Sequence, residues 1–193
     1  MGAQLQQRVQ KTLDDTRDVF ASILTDQQHS QSYTQLLGHI ARDTTDIHGL
    51  AVHLAYESGE LHGMTKPIQE LLHQLTMVVA NLVSMSERIF QLDQIDQHYR
   101  LGLEQLHHDV VSFLRAQTDI HESELNQLPP EFESDFEHLL VLSQPQQEIM
   151  LDALKMDIRH FIQNVMAVKL LWQLINKGEK RIPDTIATIT TQY

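Results

Sequence analysis

Between Pro67 and Pro129 apolar side chains recur every three or four residues, and Gly102 is the one helix-weakening residue in the interval. That spacing stacks the apolar groups on one face of a helix. A chain patterned this way buries its apolar surface by packing helix on helix. The expected fold class is therefore all-α: an up-down helical bundle of four long helices plus one or two short helices and an extended C-terminal tail. With 193 residues, 41% of them apolar, one core can be filled. The expected organisation is a single helical-bundle domain over 1–178, followed by an extended or flexible tail over 179–193.

The pattern divides as follows. A first helix is expected from Ala3 to Gln28, burying Leu5, Val9, Leu13, Phe20, Ile23 and Leu24, and a second from Ser32 to Glu57, with stops at Gly59 and Gly63. Thr65 and Pro67 open a third, because proline in a first helical turn loses no hydrogen bond. Its stripe runs Ile68, Leu71, Leu72, Leu75, Val78, Val79, Leu82, Met85 and Ile89. Continuing that helix at 100° per residue would turn Asp93 and Asp96 into the core, so a turn is expected between Asp93 and Arg100. The competing reading is one unbroken heptad helix through Phe113. A fourth helix is expected from Leu101 to Gln127, a short one from Pro130 to Leu142, and a last long one from Pro145 to Asn176 that stops at Gly178. The β-branched Thr-Ile-Ala-Thr-Ile-Thr-Thr run beyond it favours an extended tail. Glutamines scattered through the chain read as helix formers on polar faces.

The formal charge of −12 argues against nucleic acid, whose phosphates are bound by Lys and Arg. Zero cysteines exclude disulfides and thiolate sites, so a metal would need His and carboxylate ligands. No apolar run approaches the roughly 18 residues of a membrane span, and the first residues lack the apolar core of a secretory signal. The expectation is a cytoplasmic protein with no membrane contact. Twelve histidines, which titrate near pH ~6.5 when unperturbed, would cancel much of the negative charge on acidification and lower solubility.

Three constellations bear on chemistry. Glu70-x-x-His73 and Glu104-x-x-His107 have the spacing of di-metal bundles, but projection turns both toward solvent, and no inward glutamate completes a ligand set. A hemerythrin-like site would need five inward histidines, which the projection does not supply. Asp43 and Asp157 flank their stripes and need partners, for which His39, His48 and His107 are candidates. The run from His73 to Leu82 resembles the His-x-Leu-Lys-Gly-x-x-Ala-x-Leu pattern of histidine phosphotransfer bundles over ten residues. It departs from that pattern at Thr76, where the lysine would balance phosphoryl charge, and at Met77, where glycine would leave room for the attacking response regulator. His73 is then read as a solvated residue. No nucleophile context or phosphate-cradling loop appears, so neither catalytic residue nor cofactor is expected.

The third constellation is charge. From Ala116 to Leu154 nine acids (Asp119, Glu122, Glu124, Glu131, Glu133, Asp135, Glu137, Glu148 and Asp152) stand with no Lys or Arg. Such a surface steers a basic partner; as a solvated face, it would only keep the chain soluble and favour helix N-termini. The expected function is a non-enzymatic helical interaction protein, an adaptor, chaperone or regulatory subunit holding a basic protein partner through an acidic face (Glu131, Glu133, Asp135, Glu137) or a helix groove. The alternatives are a ligand-sensing bundle of chemoreceptor type and a His/carboxylate metal-binding bundle. Val83 and Phe90 widen the third helix's stripe enough to suit a homodimer face.

Overall fold

A computed structural model describes residues 2–25, 30–56, 63–92 and 97–191. Within them the chain forms α1 (Gly2–Thr25), α2 (Ser30–Tyr56), α3 (Thr65–Gln91), α4 (Gln97–Ala116), α5 (Phe132–Val141), α6 (Pro145–Asn176) and α7 (Asp184–Thr191), with one 3-10 turn at Glu122–Glu124. The bundle is all-α. α1, α2, α3 and α6, of 24 to 32 residues, are its long members.

α3 and α6 form the spine, the largest helix–helix contact in the molecule. They run antiparallel, since Gln74 and Asn81 face Asn164 while Ser84 and Arg88, further along α3, face Asp157. On the α3 side Leu71, Leu75, Val78, Leu82 and Met85 are buried, and on α6 Leu154, Ile158, Phe161, Ile162, Val165 and Val168. Each full burial of this kind contributes roughly 1.5–3 kcal/mol. α1 closes the spine with Phe20, whose ring stacks on Phe161 at 4.9 Å between centroids. α2 packs on α1 and α3, and α4 on α1 and α5.

The ends of α6 follow sequence chemistry. Pro145 occupies its first turn, and Gln144 and Gln147 form a reciprocal capping box. Gly178, at φ +77°, ends it in the left-handed conformation expected of that glycine. Gly63 is also left-handed, at φ +81°; the other expected stop, Gly59, lies outside the described residues. Gly102 has a different role: a Cβ there would stand 2.7 Å from Leu139 Cδ2, so its lack of a side chain lets α4 approach α5. α3 and α4 are separate helices, as the Asp93–Asp96 argument requires. α3 closes with the Leu92 N–H donating to the carbonyls of Arg88 and Ile89; residues 93–96 lie outside the described residues.

Two expectations are corrected. α4 ends at Ala116 rather than Gln127, because α6 captures the connection that follows. Lys169 Nζ donates to the carbonyls of Leu114 (2.6 Å) and Gln117 (3.2 Å), taking the place of the next helical N–H groups. The Gln173 side chain accepts the Ile120 N–H and donates to the Ile120 carbonyl and Asp119. The second concerns the tail, expected to be extended: Asp184–Thr191 is helical. Ile186 and Ile189 are buried, and Thr185 Oγ1 donates to Glu122 at 3.0 Å. Burial of two isoleucines overrides the weak helix propensity of the β-branched run.

Candidate functional site

The acids after α4 do not form one face. Asp119 accepts from Gln173, Glu122 from Thr185, and Glu133 is ion-paired with both Lys155 and Arg159 of α6. Asp135 is only 7% exposed, because it lies on the α5 side that carries Phe132, Phe136 and Leu139 into the core. It therefore cannot belong to an exposed acidic surface, which corrects its place in that group. Its neighbour is Asp109 of α4, and one oxygen on each carboxylate is buried without a partner. A single proton between the two satisfies both. Burial first, then the Asp109 hydrogen bond and charge, then Glu131, push the Asp135 carboxyl up to about 7.

Glu131, Glu137, Glu148 and Asp152 remain exposed. Glu137, Glu148 and Asp152 lie toward the α5–α6 corner with apolar side chains that the core does not absorb, Val141 (84% exposed), Leu142, Ile149 (74%) and Met156, whereas Glu131 stands at the opposite end of α5. Leu142, Ser143 and Gln144 are the whole link between the two helices, which holds the end of α5 beside the start of α6. Along α6, Ile149, Asp152 and Met156 fall at i, i+3 and i+7 and so share one outward face. The corner thus presents apolar groups rimmed by carboxylates. A sequence signal for it existed: Ile149 lies about 200° around the helix from Leu151, off the α6 stripe.

The other candidates are placed as follows. His73 and Glu104 are exposed, and His107 packs its ring at 5.9 Å from Phe20, where burial above all pushes its pKa down. No group of three or more His, Asp or Glu suited to a metal ion occurs among the described residues. Asp43 is paired with Lys11 at 3.4 Å, and Asp157 accepts from Ser84 at 3.0 Å with Arg88 at 3.8 Å. Lysine, serine and arginine hold them, in place of the histidines suggested by sequence. Val83 is 41% exposed on α3, while the side chain of Phe90 lies outside the described residues.

One feature escaped the sequence. Gln74, Asn81 and Asn164 are buried in the α3–α6 seam, against the reading of glutamines as polar-face residues. Asn81 donates to Asn164 at 2.7 Å, Asn164 donates to Gln74 at 2.6 Å, and Gln74 donates to Glu70 at 3.0 Å. The ladder is fully inside and faces no cleft, so its work is to fix the register of α3 on α6.

These observations define a class: an all-helical bundle with an internal polar spine and an apolar corner edged by acids, none of whose described helices is long and apolar enough to cross a membrane. The model of the Fusaric acid resistance protein family matches residues 1–180, and the chain belongs to that family. No curated protein and no solved structure matches it.

Proposed function

We propose that this chain is a non-enzymatic interaction module whose α5–α6 corner docks a basic, amphipathic segment of a protein partner. The observation that supports it most is the coincidence near one corner of exposed Val141, Leu142, Ile149 and Met156 with Glu137, Glu148 and Asp152. Apolar groups supply affinity at such a patch, and the carboxylate rim selects a cationic partner and speeds encounter. Within a family named for resistance to fusaric acid, the module would assemble or regulate the resistance machinery. Glu133 is excluded from the docking set by its two cations, and Asp135 by burial.

A photo-cross-linking side chain at position 149, expressed in the native cell, tests the reading. Cross-linking to a protein with a basic helical segment is expected, with loss on changing Glu137, Glu148 and Asp152 to glutamine. The same probe at exposed Ser112 on α4 should not react. Equal cross-linking from both positions would refute the corner.

A further inference from the structure

A cleft of about 400 Å³ opens where α1, the end of α4 and the C-terminal half of α6 meet. Its charge opposes that of the chain: Arg17, Arg115 and Lys169 line it, and no Asp or Glu does. The smaller cleft where Arg8 and Lys11 stand with Asp43 and Asp46 differs in carrying both signs of charge. The three cations here are only partly spent. Arg17 gives one edge to Asp14, Lys169 gives two hydrogens to the carbonyls of Leu114 and Gln117, and Arg115 makes no ion pair with an acid among the described residues. Trp172 adds its indole ring to the lining of the same cleft.

We propose that this cleft binds a small organic dianion of the phosphate-monoester type carried on a planar ring. Three lining cations, less the Asp14 carboxylate paired with Arg17, leave a net charge of +2, which suits a dianion better than one monocarboxylate, and guanidinium forks match phosphoryl oxygens in pairs. The indole of Trp172, with Val9, Leu13 and Val168, supplies the apolar wall that a ring requires. The low-dielectric walls of a cleft concentrate its positive field against the chain's overall negative charge. This site is distant in sequence and chemistry from the α5–α6 corner, and neither proposal depends on the other.

Calorimetric titration at pH 7.5 with phenyl phosphate, benzoate and inorganic phosphate tests it, because the first two share a ring and differ in charge. Phenyl phosphate should bind at least tenfold more tightly than either of the others. Arg115→Ala should weaken it about tenfold, and Trp172→Ala, which removes the ring that forms the wall, about threefold to tenfold, with the melting temperature of Arg115→Ala unchanged. Absence of phenyl phosphate binding, benzoate or inorganic phosphate binding as tightly, or undiminished affinity in Arg115→Ala would each overturn the assignment.

Discussion

The α3–α6 seam and the α5–α6 corner use the same helix in opposite ways. Along the C-terminal two-thirds of α6, apolar groups are inside and even the polar ones, Asn164 with Gln74 and Asn81, are enclosed and paired. In its first dozen residues Ile149 and Met156 stand in water beside carboxylates. Polar groups inside and apolar groups outside are both costly departures, but they serve different ends. The first fixes how two helices meet, and the second leaves a surface for something else to cover.

The largest expected effect lies in the seam. Asn164→Leu strands the amides of Gln74 and Asn81 in the core and should lower stability by about 3 kcal/mol, read from urea unfolding. Replacing Gln74, Asn81 and Asn164 together by leucine should recover most of that loss, because no buried amide is then left unpaired. A loss under about 0.5 kcal/mol for the single change would deny the ladder its role. Next comes α7: Ile186→Ala should cost about 2 kcal/mol, the low end for a buried isoleucine, because only a short terminal helix is released.

Asp135 sharpens the comparison at the foot of the corner. Its folded-state pKa is raised from 3.8 to about 7, so between those values the native state holds a proton that the unfolded chain has lost. Stability from this group is therefore greatest in acid, falls as pH rises from about 4 to about 7, and is level above. Urea midpoints at pH 5 and pH 8 should differ in that direction, and Asp135→Asn should flatten the difference and gain at pH 8. The smallest effect on stability belongs to the corner itself, where Val141→Ser with Ile149→Ser should stay within about 0.5 kcal/mol while abolishing partner capture.

What could be read in advance follows the same division. The stripes, Pro145, Gly178 and the costly inward turn of Asp93 and Asp96 are local statements, and they located the spine, the ends of α6 and the break between α3 and α4. Partners distant in sequence decided the rest. Nothing local reveals that Lys169 will take the last carbonyls of α4, or that Ile186 will find a buried place beyond Gly178. The acids were counted correctly as a run, yet their helical phase separates them: position 135 turns inward with Phe132 and Phe136, and 131 and 137 turn out. Glutamine, read by type as a polar-face residue, is part of the seam's ladder at position 74, because Gln74 and Asn81 lie on the same face as Leu71, Val78 and Leu82.

Hydrogen exchange, followed by mass spectrometry on the chain with and without its bound partner, tests the docking corner most directly. Slowed exchange confined to residues 132–156, with no change across 65–91, is the expected result. Protection concentrated on α1 and α2, with the corner unaltered, would contradict it.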